Sequence, residues 1–424
     1  MSPSPQTESA APTQPEPAST SNFAWALTLF GTAVGAGILF LPIDAGSFGF
    51  WPLLIATIFI GPLVFFSHRT YSRIVSTAPE KNLNVLEVIT QSTGRKRGLV
   101  VAIMYWLSIF PTVLIYGISI TNTVDSFLVN QLDGPSIDRW LLASLCIGIM
   151  TGAFVFGRKV VLWLSNILIY PLIISLAVVS IYLIQYWDLQ SFMSYDSDTS
   201  LPFALFLLLP VLVFSFSHMA AISQLVLDMQ KSHGTNPDKQ VSKVEGLAAT
   251  MLVGFTMFFV WSCALALGAD GMDAAREMNV PVLSYFANVT NTPFMAYIAP
   301  GIAICAIATS YFGHMLGTEE GTKYLFRVVA PDTARKLTGT GTSYGIYVFV
   351  FVTTTAVAII NPSIINLISI VGGVFVAFLV YLIPLMLFRH VASLRTYAKK
   401  PETIIIFIMG LLIMSASLVS NYMA

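Results

Sequence analysis

Gly31-Thr32-Ala33-Val34-Gly35-Ala36-Gly37 lies in the middle of the first apolar stretch of this chain, which runs from about Phe23 to Pro42. A stretch of that length crosses a bilayer as a helix. Three glycines weaken its continuity, each by about 1 kcal/mol relative to alanine. Backbone N–H and C=O groups are not left unpaired against lipid, so an interruption at this depth belongs against protein or a water-filled cavity. Two readings stand side by side. In one, the small residues form a face for close helix packing. In the other, the segment is unwound: the amides of Ala36 and Gly37 open a half-helix that attracts a carboxylate, and the carbonyls of Gly31, Ala33 and Val34 turn toward an ammonium or a metal cation. The second is the pattern of a protein that moves a solute.

Composition places the segment in its setting. The chain has 424 residues, 56% hydrophobic and 10% charged, with a mean hydropathy of +0.78. Soluble domains carry roughly a quarter charged residues, so this is an all-α integral membrane protein with many spans. Its formal net charge is zero, which points to no nucleic-acid partner. Cys146, Cys263 and Cys305 sit in apolar runs without metal-ligand spacing and read as buried hydrophobes. Residues 1–22 hold Ser, Pro, Thr, Glu and Gln but no Lys or Arg, the composition of a disordered tail and not of a signal peptide.

Hydropathy divides the rest into eleven helical spans, at about 24–45, 51–74, 99–130, 140–156, 160–186, 201–228, 245–268, 294–327, 344–360, 363–388 and 403–422. With the N-terminus inside, 19 of the 21 Lys and Arg residues fall inside, and only Arg139 and Arg276 fall outside. This positive-inside bias supports an odd number of spans, a cytoplasmic N-terminus and an external C-terminus. Span six contains Pro210-Val-Leu-Val-Phe-Ser-Phe-Ser-His218, a polar run inside an apolar helix, five helices after the glycine-interrupted span one. Two interrupted helices in corresponding places are the signature of a five-plus-five inverted repeat, with discontinuous helices 1 and 6. Repeat one is expected over about 24–186, repeat two over about 201–388, and an added helix over about 403–422, all in one transporter domain of residues 23–424.

Other polar residues stand within the spans. Ser215, Ser217 and His218 belong to span six; serines in membrane helices often bond back to their own turn, whereas a histidine at bilayer depth needs partners for both nitrogens. Thr309-Ser310, one turn after Ala306, offers oxygens for a hard monovalent cation, with ordinary interhelical hydrogen bonding as the plainer reading. His314, one turn further on, is a gating or proton-titrating candidate. Asp44, past Pro42, and Asp125, near the outer end of span three, are interfacial carboxylates or else gating or proton-titrating groups. Glu319 and Glu320 close span eight near Lys323 and Arg327, where solvated ion pairs are expected. There is no His-Glu-x-x-His, Gly-x-Ser-x-Gly or Gly-Lys-Ser pattern, and the five histidines are scattered, so neither an enzyme nor a resident metal is expected.

The run Gly31-Thr-Ala-Val-Gly-Ala-Gly-Ile-Leu-Phe-Leu-Pro42 resembles the first-helix motif of the bacterial hydroxy/aromatic amino acid permease family, within the amino acid–polyamine–organocation superfamily. Ile120-Thr-Asn-Thr-Val124, Pro210 to His218, Ser310-Tyr-Phe-Gly-His314 with Glu320-Gly321, and Asn361-Pro-Ser-Ile364 extend the resemblance along the chain, most closely to its serine and threonine branch. The resemblance implies the leucine-transporter-like fold with 11 transmembrane helices. It also implies cation-coupled uptake of serine or threonine across the bacterial inner membrane by alternating access, with H+ or Na+ as coupling ion, no organic cofactor, and a monomer as the functional unit. Carried over by position, the Ala36 and Gly37 amides would hold the substrate carboxylate. The carbonyls of Ala33, Phe214 and Ser215 would hold its ammonium. Tyr116 would cap the carboxylate, and Ser217, His218 or Ser310 would reach a side-chain hydroxyl.

Two departures from the family pattern carry weight. The serine permeases have lysine where this chain has Thr309. The pair Thr309-Ser310 resembles the sodium-binding version of the fold, with Gly31, Val34 and Ala306 supplying carbonyl oxygens beside the two hydroxyls. Asp44 stands where that branch tends to have asparagine. Aromatic amino acids are the alternative substrate. An amino-acid-sensing receptor without net transport is the alternative class, although the tail and loops are too short for a signalling domain.

Overall fold

Helices begin and end where the sequence interrupts them. The computed structural model describes residues 21–76, 78, 80, 83–233, 237–290, 292–330 and 340–423, so the tail to residue 20 and the basic residues Lys81, Arg335 and Lys336 lie outside the described residues. In chain order the helices are α1 (Asn22–Ala33), α2 (Ala36–Gly46), α3 (Phe50–Ser76), α4 (Val85–Thr93), α5 (Arg95–Asn130), α6 (Arg139–Phe156), α7 (Arg158–Tyr186), α8 (Leu189–Ser194), α9 (Leu201–Phe216), α10 (Met219–His233), α11 (Asp238–Glu277), α12 (Val282–Val289), α13 (Pro293–Val329), α14 (Thr340–Ile360), α15 (Ile364–His390) and α16 (Pro401–Met423). Among the described residues there is no strand.

Nine of these helices are long and apolar enough to cross a bilayer alone, and two bent pairs, α1 with α2 and α9 with α10, bring the spans to eleven. Five spans lie in each half of the chain, the first span of each half is broken, and α16 is the addition. The α1–α2 pair bends by 65° and the α9–α10 pair by 46°. Large side chains on α7 face outward, with Trp163 60%, Ile174 64% and Ile181 61% exposed, as expected of a lipid-facing surface.

Four elements hold features that the apolar runs do not predict. Span seven, expected at 245–268, is the 40-residue α11, which continues past Gly268. Gly268 has φ 69° and ψ 176°, a non-helical conformation open to glycine, so α11 consists of two helical segments joined by a kink there. Ala269 to Glu277 thereby fold back, and Arg276 reaches Asp44. The short helices α4 and α12 lie outside the apolar runs; α4 is closed at its start by reciprocal bonds between Asn84 and Glu87, a capping box. In α15, residues Val371–Val376 and Phe378–Leu382 wind as π turns, each turn wider than an α turn. Gly372 and Gly373 sit against Pro210 and Phe214 of α9 and Ser417 of α16, where an added Cβ would collide with backbone or side chain. Small residues thus let α9, α15 and α16 approach closely.

Candidate substrate and ion site

The first break is made of backbone. Val34 (φ −70°, ψ 100°) ends α1, and its N–H still bonds the Phe30 carbonyl at 2.9 Å. Gly35 is fully extended and precedes Ala36, the first residue of α2. The last carbonyls of α1 and the first amides of α2, those of Ala36 and Gly37, therefore lack helical partners, and they meet at one place. Ile38 N–H already bonds the Gly35 carbonyl at 3.1 Å. Gly35 is required for space: a Cβ there would collide with the Ser310 hydroxyl, and the Tyr116 hydroxyl lies 3.6 Å away. Gly37 is equally confined, since its Cβ would lie 3.0 Å from the Ser215 Cα and 3.1 Å from the Phe214 ring. The packing and unwinding readings of the glycine segment hold together in the same residues: the helix breaks, and its glycines let α9 and α13 close in.

The second break is held by side chains. Ser217, with extended backbone, caps α9, and its N–H reaches the Phe214 carbonyl at 3.3 Å. The Ser215 hydroxyl donates to the Gly37 carbonyl at 3.0 Å, tying α9 to α2. The His218 backbone N–H, freed by the break, donates to His68 Nε2 of α3 at 3.2 Å, and the two imidazole rings stack with centroids 3.8 Å apart. His218 Nε2 lies 2.8 Å from Glu245 Oε2 on α11.

A chamber of about 60 Å³ lies between the two breaks, lined among others by Ala33, Gly37, Tyr116, Phe214, Ser217 and His314. It shares Thr32, Ile109, Ala220 and His314 with a wider vestibule of about 680 Å³, which Gly31, Val34, Thr309 and Ser310 also line. The vestibule reaches Arg158 and Glu320, an ion pair at 2.7 Å with both side chains 60% exposed. Glu319 is engaged by Lys323 at 2.5 Å, Ser343 and Tyr347, so only the Glu320 pair is solvated as expected, and its partner comes from α7.

The site residues named from sequence thus separate. Ala33, Gly37, Tyr116, Phe214 and Ser217 line the chamber, and Ala36 contributes its amide at the start of α2. Ser310 lies on the vestibule side, against Gly35 and the Tyr116 hydroxyl. Two side chains are turned away from the chamber, which leaves the role expected of the Ser215 carbonyl untouched. Ser215 is 1% exposed with its hydroxyl spent on Gly37, and His218 is 1% exposed with its ring turned to Phe216 and Glu245; neither side chain lines the chamber. The reason is geometric: residues on either side of a helix break do not follow one helical face. Glu245 and His68, the partners of His218, were not anticipated as site residues. The available signal was weak, since Glu245 stands at the first residue expected for span seven, close to Lys239 and Lys243.

The sodium ligands expected from sequence fall in one region. Gly31, Val34, Thr309 and Ser310 share the vestibule wall, while Ala306 is 1% exposed behind it. The Thr309 hydroxyl donates to the Cys305 and Ala306 carbonyls, both at 3.0 Å, so its own oxygen lone pairs remain available. Among the described residues no three His, Cys, Asp or Glu side chains are grouped to hold a metal ion. His314 bonds the Ser310 carbonyl through Nδ1 at 3.0 Å and faces the edge of the Tyr116 ring. At the opposite end from the vestibule, Asp44 Oδ1 and the Ser47 hydroxyl both meet Arg276 Nη2, at 3.0 and 2.9 Å. Asp125 is half-buried on α5, on the turn above Asn122, which bonds Arg139 and Asn361.

Comparison with known proteins agrees with this architecture. The chain is 35% identical over 405 residues to the serine transporter SdaC of Escherichia coli, covering 92% of this chain and 93% of that protein. It is 32% identical over 417 residues to the threonine/serine transporter TdcC of Escherichia fergusonii, covering 93% and 94%. Among solved structures, a manganese transporter of Eremococcus coleocola superposes with a TM-score of 0.60 at 13% identity, over 94% of this chain and 86% of that one, a likeness of fold alone. Its relatives are transporters and permeases, not enzymes, and its spans make it a multi-pass membrane protein of the leucine-transporter-like fold. The pattern of the tryptophan/tyrosine permease family matches residues 18–418, and the chain belongs to that family.

Proposed function

We propose that this permease carries serine or threonine into the cytoplasm by cation-coupled symport. The chamber between the two breaks carries the reading. At about 60 Å³ it has room for about four to six water molecules at roughly 10–15 Å³ each. That suits an amino acid with a short hydroxylated side chain and is small for an indole. The Ala36 and Gly37 amides at the start of α2 receive the carboxylate, aided by the half-helix dipole, and the Tyr116 hydroxyl closes over it. The ends of α1 and α9, at Ala33 and Phe214, receive the ammonium. The Ser217 hydroxyl is the side-chain polar group of α9 that remains on the chamber wall and is placed to meet the substrate hydroxyl.

With the basic ends of the spans assigned to the cytoplasm, the vestibule opens inward and the Asp44–Arg276–Ser47 cluster closes the outer side. The structure is then an inward-facing state of an alternating-access cycle, in which substrate and ion bias the two states by binding them unequally. The same assignment puts the N-terminus in the cytoplasm and the C-terminus outside. Within the two repeats, of about residues 24–186 and 201–388, the broken helices α1–α2 and α9–α10 would rock against a scaffold formed by α5, α6, α13 and α14. Labelled-serine counterflow in proteoliposomes, competed by serine, threonine, tryptophan and tyrosine, tests the reading. Competition by serine and threonine, with tryptophan and tyrosine ineffective, is expected; tryptophan competing at the same concentration as serine would replace the substrate assignment with an aromatic one.

A further inference from the structure

The buried polar cluster behind the second break has a proton count that its hydrogen bonds dictate. His68, His218 and Glu245 are 2%, 1% and 0% exposed. Each ring nitrogen is assigned by its partner. The His218 backbone N–H donates to His68 Nε2, so that nitrogen offers a lone pair, and the ring proton of neutral His68 sits on Nδ1, which donates to the Val64 carbonyl at 3.0 Å. His218 Nδ1 faces the Phe216 carbonyl at 3.2 Å, and a carbonyl only accepts, so Nδ1 carries a proton. The other nitrogen of His218, Nε2, stands 2.8 Å from Glu245 Oε2. A bare lone pair facing a carboxylate at that distance is repulsive. One proton lies between them, as a carboxyl group donating to a neutral imidazole or as an imidazolium donating to a carboxylate. Both descriptions have the same total charge of zero, and the proton belongs to the pair.

Loss of that proton leaves a net negative charge in a buried site inside the membrane-spanning bundle, which is unfavourable without new partners. Glu245 Oε1, buried and without a hydrogen bond, is free to take one. The titratable side chains that face the pair are His68 from α3 and, beyond the Ser67 hydroxyl, Tyr381 from α15. On the other elements packed here, α1 has no charged residue and α2 has only Asp44, tied to Arg276. On α3, Arg69 bonds Ser242, and Arg73 pairs with Asp238 and Glu402. On α10, Asp228 bonds the Trp25 indole and Lys231 is exposed. On α7, Arg158 pairs with Glu320.

The break that presents His218 to Glu245 also carries Phe214, Ser217, Met219 and Ala220 on the chamber and vestibule walls. We propose that Glu245 and His218 are the proton-coupling site of this permease: their hydrogen-bond geometry is that of the loaded pair, and movement of the α9–α10 break releases the proton to vestibule water, one N–H or O–H bond breaking and its electron pair staying on the pair. This rests on the reading of the chain as a cation-coupled amino acid symporter and assigns the cation as H+. Substrate in the chamber and proton behind it hold the same joint, so each stabilises the conformation that binds the other.

The test uses the full-length protein in sodium-free proteoliposomes, with serine counterflow, serine uptake driven by a pH gradient, and serine-driven proton flux followed by an entrapped pH dye. Glu245→Gln imitates the loaded carboxyl permanently, its amide donating to His218 Nε2. It is expected to keep counterflow within about twofold of wild type while gradient-driven accumulation and serine-driven proton flux fall to the level of empty vesicles. Glu245→Gln accumulating serine under a pH gradient as wild type does would overturn the assignment, as would wild-type serine influx that moves no protons. Should Glu245→Gln not be recovered folded, His218→Gln serves instead, with the same loss of proton flux expected and a wild-type proton-to-serine ratio as the contrary result. Absence of serine counterflow in wild type would remove the transport reading itself, whereas wild-type counterflow with sodium-dependent, proton-independent accumulation would remove only the proton site.

Discussion

The two helix breaks occupy equivalent places in the two halves of the chain and are built in opposite ways. At the first, the backbone opens at Val34 and Gly35, Val34 on the vestibule wall and Gly35 on the chamber wall, and Gly35 and Gly37 let Ser310, Ser215 and Phe214 come close. At the second, a side chain answers the freed amide, since His68 takes the His218 N–H, and Glu245 takes the ring. A break left bare has backbone groups free for something that arrives from outside. A break already satisfied from within is a joint whose position depends on the state of its clamps. On the function proposed above, one fold element would serve recognition in one half of the chain and control in the other.

The contrast can be broken at the bare site most severely. Gly37→Val places a branched side chain against the Ser215 backbone and the Phe214 ring, and serine uptake is expected to fall by more than about a hundredfold with the protein still inserted and folded, read by transport alongside thermal stability. Gly35→Ala meets a movable hydroxyl rather than backbone. It is expected to lose roughly tenfold and to recover in the double variant Gly35→Ala/Ser310→Ala, a non-additivity that a cycle of uptake measurements detects. At the clamped site, His68→Ala orphans the buried His218 amide, and a stability loss of about 1–3 kcal/mol is expected from thermal unfolding in detergent. The outer cluster is weaker because the Arg276 side chain is 36% exposed. Asp44→Asn is expected to cost about 1 kcal/mol or less and to raise labelling of a cysteine placed on the chamber wall from the external side. Thr309→Ala should matter least, changing uptake less than about twofold with the proton-to-serine ratio unaltered. A lost coupling there would return the cation to the Thr309–Ser310 wall and make the first break the control point as well.

Much of this was legible before any coordinates. Long apolar runs and the distribution of Lys and Arg settle the number of spans, because bilayer thickness and charge transfer act on each residue independently of its partners. The glycine segment announced its break through helix propensity, and the polar run from Ser215 to His218 announced the second. What side chains do at a break was not legible. Ser215 and Ser217 are two residues apart, yet one ties α2 to α9 and the other lines the chamber, since the change of direction between α9 and α10 cancels any periodic rule. Glu245 sits 27 residues after His218, close to Lys239 and Lys243, where a carboxylate reads as the charged edge of a span. Only the extension of α11 back to Asp238 moves it inside. Arg276 likewise reads as an exterior loop residue until the turn at Gly268 carries it to Asp44.

The π turns of α15 have a consequence for how this site changes over generations. Val376, which lines the chamber, ends the first of them. A π turn holds about one residue more than an α turn, so deleting a single residue from Val371–Val376 would restore regular winding in that segment while the helix on either side keeps its register. A different residue would then face the substrate while the rest of the bundle kept its place. A one-residue deletion in this segment is therefore a way to exchange the side chain that α15 presents at the Val376 position of the chamber wall without repacking the helix on either side.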